Sequence, residues 1–353
     1  MKEININKAF EITDPVFIDV RSPGEFEESH IPGAVNIPLF TDDERERVGT
    51  VYKQKGQESA RWLAMELVLP KVPTLLEGIK QKINDGEKPI VYCWRGGMRS
   101  KSVATFADLA GIPVYRLTGG FKHYRQWVID HLNPTLLPKR FVVLHGMTGV
   151  GKTILLELLQ KKGFPILDLE KCAGHRGSVF GGIGKPVHSQ KTFEALLVYE
   201  LQKLKDLPYV FIEAESKRIG KVVQPDFLLE AKRKGIHIQL ETSVEIRVER
   251  IYGEYVESFS KDPDFKQRVL EAITPISKRF PTALKNEIKN YIESENYKAL
   301  ISVLLTEYYD PRYQHKLTEY EGDFHFLNAD DLEKTADQIV ELIKSKPVLA
   351  TTS

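Results

Sequence analysis

Pro89-Ile-Val-Tyr92 runs directly into Cys93-Trp-Arg-Gly-Gly-Met-Arg99-Ser100 and on into Lys101-Ser-Val-Ala-Thr-Phe106, and this stretch decides the fold of the first third of the chain. A short apolar run, a glycine-bearing loop and a helix-like pattern make one β–loop–α unit. A cysteine at a strand end meets successive backbone N–H groups and a helix N-terminus, which together attract negative charge. Arg95 and Arg99 add to that field, while Gly96 and Gly97 let the backbone curl around an anion. The same surroundings favour the thiolate, the nucleophilic form of the side chain. A lone cysteine is more often core packing. Two arginines and two glycines beside Cys93 favour a reactive one.

Outward from this loop, Pro15-Val-Phe-Ile-Asp-Val20 and Val114-Tyr-Arg-Leu117 read as further strands, the latter ending at Gly119-Gly120. Strands alternating with helical patterns imply a parallel α/β sheet over residues 1–133. His131-Leu-Asn-Pro-Thr-Leu-Leu-Pro138 has two prolines and no periodicity, and marks a boundary. Strand candidates then recur at Arg140–His145, Pro165–Asp168, Tyr209–Glu213 and Ile236–Leu240, with a helix over Gln190–Leu207. A second α/β core over 134–244 comes next. Residues 245–346 read as a mostly helical extension that completes this domain. A strand at Phe324–Leu327 and an amphipathic helix over Asp330–Lys344 close it, and 347–353 reads as a frayed tail.

Gly146-Met-Thr-Gly-Val-Gly151-Lys152-Thr153 sits between a strand and a helical pattern and fits the phosphate-loop spacing Gly-x4-Gly-Lys-Thr. Gly146, Gly149 and Gly151, with Thr148, let backbone N–H groups wrap a diphosphate. Lys152 reaches its end, and Thr153 suits Mg²⁺. The strand Tyr209–Glu213 ends in Glu213 and Glu215 where phosphate-loop enzymes usually carry aspartate; both are candidates for Mg²⁺ or for its water shell. The run Asp168–Gly184 is too glycine-rich for a helix and too polar for a core. Its His175, Arg176, Ser178 and Phe180 suit a loop that grips phosphate or stacks on a base. Cys172 has no glycine cradle and reads as structural.

The bulk composition excludes several classes. Lys and Arg number 50 against 49 Asp and Glu in 353 residues, so any nucleic-acid surface is a local patch. Two cysteines cannot build a disulfide framework, no apolar run spans a bilayer, and no signal-peptide pattern opens the chain. A cytoplasmic protein without a membrane partner is expected.

The first unit resembles a rhodanese domain, in Phe17-Ile-Asp19-Val-Arg21-Ser-Pro-Gly-Glu25-Phe and His30-Ile-Pro-Gly-Ala-Val-Asn36-Ile-Pro38, with Cys93 at that family's catalytic position. Asp19, Arg21, Glu25 and His30 are scaffold residues in that resemblance. Small rhodaneses usually place four residues between the cysteine and the loop arginine; five stand here, and a wider cradle suits a phosphate-sized anion. The whole chain resembles the bacterial tRNA 2-selenouridine synthases. That resemblance covers the cysteine loop, Val48-Gly-Thr-Val-Tyr52-Lys-Gln-Lys-Gly56, the phosphate loop, His175-Arg-Gly-Ser178, Glu215-Ser-Lys-Arg-Ile-Gly220 and Tyr308-Tyr-Asp-Pro-Arg-Tyr313.

The resemblance implies a transferase acting on the 2-thiouridine at the wobble position of tRNA. Geranyl diphosphate first alkylates the sulfur, giving S-geranyl-2-thiouridine, and selenophosphate then replaces the geranylthio group with selenium. The phosphate loop would hold geranyl diphosphate, and Arg95, Gly96, Gly97 and Arg99 would hold selenophosphate. Cys93 would act as nucleophile or as a transient selenium or sulfur carrier. Selenophosphate synthetase is the candidate protein partner, and no tightly bound cofactor is expected beyond candidate Mg²⁺. Patches for tRNA are Lys217, Arg218 and Lys221, then Lys232-Arg-Lys234, and Lys278-Arg279, with Phe180 or Tyr313 to stack on a base. Met147 and its apolar neighbours would line a channel for the geranyl tail. Two other readings stay open: a sulfurtransferase fused to a small-molecule kinase or ATPase, and a phosphatase-like regulator with a nucleotide-sensing phosphate loop.

Overall fold

Strands form where the apolar runs lie. The computed structural model describes residues 1–176, 178, 181, 187–313, 320–322 and 324–345, so both Phe180 and the tail 347–353 fall outside the described residues. The chain divides into a first unit built on Met1–Leu132 and a second that begins at Asn133. In the first, β1 (Lys2–Ile4), β2 (Pro15–Asp19), β3 (Val35–Asn36), β4 (Lys88–Tyr92) and β5 (Tyr115–Leu117) make a parallel sheet in the order β1-β5-β4-β2-β3. Helices cover both faces of such a sheet, which is why β2 and β4 are apolar without alternation. β4 is central, so Cys93 leaves the sheet at the carboxyl edge of its middle strand, where open α/β sheets present ligand sites.

A buried ion pair locks this unit beneath the loop. Arg21 Nε lies 3.0 Å from both Asp19 carboxylate oxygens, and its Nη2 donates to Asp19 Oδ2 at 2.6 Å and to the Ser29 carbonyl at 2.7 Å. The guanidinium also lies 4.3 Å from the Phe121 ring centre. A charge removed from water is tolerated only with partners on every side.

The second unit uses β6 (Phe141–His145), β7 (Ile166–Leu167), β8 (Val210–Glu213), β9 (Arg218–Ile219), β10 (Val222–Val223), β11 (Ile236–Glu241) and β12 (Phe324–Asn328). Five of these form a parallel sheet, β12-β11-β6-β8-β7, while β9 and β10 pair as a small antiparallel ribbon. All five residues of β6 are buried, and the phosphate loop leaves from its carboxyl end. One expectation is corrected. The run from Asp168 begins with a helix, Leu169–Ala173, because the Asp168 carboxylate caps it by accepting from the Lys171 N–H at 2.8 Å. That helix buries Glu170 and Cys172. Of the later helices, the one from Gln190 stops early, at Leu204, and the last starts late, at Leu332 behind its cap Asp331, and ends at Lys344 as expected.

Beyond residue 244 the chain is helical: Val244–Ile251, Phe265–Ser277, Thr282–Glu293 and Tyr297–Leu304, interrupted by π-helical turns at Tyr252–Glu257 and Leu305–Tyr309. These helices share a core of their own around Val248, Phe265, Ile288 and Leu300. Among the described residues no helix is long and apolar enough to cross a membrane.

Two buried histidines bridge β6 and β11. His145 Nε2 lies 3.0 Å from His237 Nδ1, and His237 Nε2 faces the carbonyls of Glu321 at 2.9 Å and Arg233 at 3.2 Å. Two carbonyls can only accept, so His237 Nε2 carries the proton and Nδ1 accepts from His145. Burial, with the positive field of His237, Lys152 and Lys232 added, pushes His145 down to about 3.

Two stability outcomes are expected. Arg21→Met leaves the Asp19 charge buried and unpaired, and should cost the first unit about 3–5 kcal/mol in urea unfolding of the full chain. For His145, the unfolded side chain takes up a proton near pH 6.5, whereas the folded one does so only near 3. Its contribution is therefore intact above 6.5 and drains away as pH falls toward 3. His145→Gln should flatten the fall in stability across that window; an unchanged slope would rule the histidine out as its source.

Candidate functional site

The cysteine loop is built by packing from elsewhere in the first unit. Cys93 is buried, and its Sγ lies 3.2 Å from the Ser100 hydroxyl. The Cys93 and Trp94 carbonyls accept from the Phe121 and Lys122 N–H groups at 2.9 and 2.8 Å. Gly119 and Gly120 lie against the loop with positive φ of 75° and 59°. A β-carbon on Gly120 would sit 2.1 Å from the Cys93 carbonyl and 2.5 Å from the Gly96 nitrogen, so only glycine fits. Arg116 braces the far side by donating to the Gly96 carbonyl. The helix Met98–Leu109 starts at Gly97 with no side-chain cap, leaving its first N–H groups for an anion.

The two loop arginines differ. Arg95 is exposed at the mouth. Arg99 is held by Glu25, its Nη1 on Oε2 and its Nη2 on Oε1 at 3.1 Å. Burial pushes the Glu25 carboxyl up, but the Arg99 guanidinium beside it wins and holds it below its ordinary range. Glu25, read as scaffold, therefore sets the position of the loop's own cation. An anion in the cradle competes with it for Arg99.

In the second unit the phosphate loop lines one end of a cavity of about 820 Å³. Thr148, Gly149, Gly151, Lys152 and Thr153 face it, joined by Glu170, Glu213 and Glu215. Gly146 lies behind, its carbonyl accepting from Lys152 Nζ at 3.0 Å. Burial alone would lower the Lys152 ammonium, but Tyr313, Glu213, Glu215 and Glu170 around it keep it raised and charged. Glu170, invisible in the sequence, is the third acid: ligand oxygens of Glu170, Glu213 and Glu215 lie within 4.8 Å of one another. Burial, then mutual repulsion, pushes the carboxyls of Glu170 and Glu213 up. The Thr153 hydroxyl donates to Glu170 at 3.3 Å, and Glu213 Oε1 is buried with no hydrogen-bond partner among the described residues. Converging carboxylates with an unsatisfied buried oxygen fit a hard divalent cation.

The wall that the helical extension adds carries the apolar side chains of Ile301, Leu304, Leu305, Tyr308 and Tyr309 beside the charged Glu249, Glu254 and Arg312. Arg247, which the sequence did not single out, holds that wall in place. Its Nε donates to the Thr148 carbonyl at 2.8 Å, and its Nη atoms grip Asp310 at 3.0 and 2.6 Å. Arg250 similarly donates to the Val150 carbonyl at 2.8 Å and to that of Ala329 at 2.7 Å. The aromatic segment Tyr308–Tyr313 is thus tied to the phosphate loop through its aspartate.

Other singled-out residues separate. Arg176 and Ser178 line the cavity; Arg176 pairs with Glu254 at 2.7 Å, and Ser178 shares a hydrogen bond with Tyr255 at 3.1 Å. The His175 ring is packed between Gly181 and Gly220, where a β-carbon on either would come within 2.7 Å of it. Arg218 is exposed on β9 and does not line the cavity. Lys232 is corrected as a surface candidate: it is fully buried, donating to the Glu215 carbonyl at 2.8 Å and to Gln224 at 2.9 Å. Cys172 is buried, and burial pushes its thiol up to about 12.

Comparison with known proteins agrees with both halves. The model of the tRNA 2-selenouridine synthase AAA domain matches residues 139–345, and that of the rhodanese-like domain matches residues 5–126. A protein of Nitrosomonas europaea called tRNA 2-selenouridine synthase is 36% identical over 275 residues, 77% of this chain and 71% of that one. Proteins of the same name from Sulfurovum sp. and Hydrogenovibrio crunogenus are 35% and 34% identical, each covering 90% of this chain and 93% of its own.

Thiol labelling discriminates the two cysteines. Iodoacetamide at pH 7–8 should modify Cys93 and spare Cys172, read by peptide mass; prior modification of Cys172 in the folded protein would contradict the assignment.

Proposed function

The chain belongs to the tRNA 2-selenouridine synthase family, and from that premise we propose that it exchanges sulfur for selenium in the 2-thiouridine of tRNA, in two steps at two anion sites. The name shared by its relatives supports the substrate class. The observation that carries the two-step reading is the cavity of the second unit, whose lining combines the charged groups at the phosphate loop with apolar side chains of the helical extension. A geranyl diphosphate has the same combination. Its diphosphate suits the N–H groups of the phosphate loop and Lys152, and its hydrocarbon tail suits Ile301, Leu304, Leu305 and Tyr308.

In the first step the 2-thiouridine sulfur attacks C1 of geranyl diphosphate, forming the S–C bond as the C1–O bond breaks. Lys152 and the loop N–H groups stabilise charge on the departing diphosphate. Thr153, Glu170, Glu213 and Glu215 are the residues that would hold a divalent cation, whose contribution is to neutralise that same charge. Alkylation turns a poor leaving group into a good one. In the second step geranylthiol leaves C2 as the C–S bond breaks, the selenium of selenophosphate bonds there, and water cleaves the P–Se bond to release phosphate. The cradle of Gly96, Gly97 and the uncapped helix start takes the phosphate oxygens, with Arg95 and Arg99 as counter-charges. Cys93, beside Ser100, serves this step as nucleophile, displacing geranylthiol from C2 and being displaced in turn by selenium.

Purified protein incubated with 2-thiouridine-containing tRNA and geranyl diphosphate should give the S-geranyl nucleoside by mass, and selenophosphate should then give 2-selenouridine. Lys152→Ala should slow geranylation about 100-fold or more. Cys93→Ala should block selenation and spare geranylation. The reverse pattern, or no modified uridine with the wild type, overturns the assignment.

A further inference from the structure

The segment Val48–Gly56 has no part in either anion site, yet it lies on a long, largely exposed helix of the first unit. The helix Asp42–Val68 starts at Thr41, whose hydroxyl and the Glu44 carboxylate form a capping box. From Asp42 through Ser59 none of its residues is buried; the first is Ala60. Val48 packs on the core of the first unit, and Glu44, Val51 and Ser59 are half-buried, so the helix seats one narrow face and presents the rest of its surface to solvent. Between residues 47 and 61 that surface carries Arg47, Lys53, Lys55 and Arg61 against the single carboxylate Glu58. None of these four cations joins an ion pair among the described residues, whereas Arg45 just before them does. Tyr52 and Trp62 stand among them, 56% and 62% exposed.

We propose that this helix is the surface on which the substrate RNA docks. The proposal rests on the tRNA reading above. Its chemistry is that of a nucleic-acid contact: unpaired cations for phosphates, and interleaved aromatic faces for unstacked bases. A protein partner would be met by a dry apolar patch, and here the cations surround the aromatics. Position favours it as well. Arg45 Nε lies 3.7 Å from Glu25 Oε2, and Glu25 holds Arg99 of the cysteine loop, so the helix begins at the rim of that loop. Tyr52 comes two turns after Arg45 on the same face, about 10 Å along the axis. The helix then bends at Gly56, with φ 85° and ψ −179°, a conformation that only glycine takes easily. Nothing lies within 4 Å of a β-carbon built there. The bend aims the segment whose Ala60 and Val68 are buried and whose Arg61 and Trp62 face solvent.

Binding of an unmodified tRNA transcript to the full-length protein, by fluorescence anisotropy over a salt series, tests this. Lys53→Ala/Lys55→Ala/Arg61→Ala should weaken binding about tenfold or more near 0.1 M salt and lower the slope of log K against log salt by about 2 to 3. Trp62→Ala should weaken binding about tenfold with the slope unchanged. If the wild type binds no tRNA, the substrate reading fails and this surface with it. If the wild type binds and the variants bind equally well, the docking surface alone is overturned. Loss of self-association in the variants at unchanged tRNA affinity would assign the helix to a protein contact instead, and also overturns it. Should a variant fail to fold, the wild type cross-linked to a transcript containing 4-thiouridine decides: adducts are expected on peptides from 42–68, and adducts confined to residues beyond 132 refute the proposal.

Discussion

One buried guanidinium holds the second unit together. Arg247 is almost wholly out of water and spends its donors on the Thr148 carbonyl and the Asp310 carboxylate. A charge so placed is stable only while both partners stay in reach. The phosphate loop and the aromatic segment are therefore two ends of one bond network, although 162 positions separate Thr148 from Asp310 (310 − 148). Because Arg247 ties the loop to Asp310 and residues of the extension line the cavity, the helical extension is part of the site and not an appendage to it.

The two anion sites solve one problem at different depths. Each takes the central strand of a parallel sheet, turns it through glycines and opens onto a helix N-terminus. The cysteine loop stays shallow, with Trp94, Gly97 and Met98 exposed around it. Such a site takes a small anion and leaves room for a bulky acceptor. The phosphate loop is walled in by the helices beyond residue 244, giving space for a ligand with a long apolar body. Depth, more than charge, distinguishes the two loops.

The parts legible in the sequence are those that local chemistry dictates. The strands around Phe17, Val91 and Val143, the cysteine loop and the phosphate loop each declare themselves within about ten residues. Glu170 is hidden in the sequence because its surroundings look like loop: Gly174 and the further glycines up to Gly184 mask the short helix that Asp168 caps. Arg247 and Arg250 sit in an ordinary amphipathic helix and become functional only through partners about a hundred residues upstream. Gly119 and Gly120 read as a strand end, yet Gly120 is required because the backbone of Cys93 and Gly96 folds over it, while Gly119 lies under the His123 ring. Lys232 misleads in the opposite sense. A basic triplet suggests a solvated face, but its first member points inward to hold the Glu215 carbonyl. Patterns report periodicity; they do not report which distant group a side chain will meet.

The π-helical turns at Tyr252–Glu257 and Leu305–Tyr309 both border the cavity. Each amounts to one surplus residue wound into an otherwise α-helical stretch. Losing that residue from the second turn would restore regular winding and rotate the downstream helix by about 100°. Asp310, next in the chain, would swing off Arg247. Chain length in this stretch is thus constrained as firmly as side-chain identity: a single-residue deletion there removes the register on which the site is built.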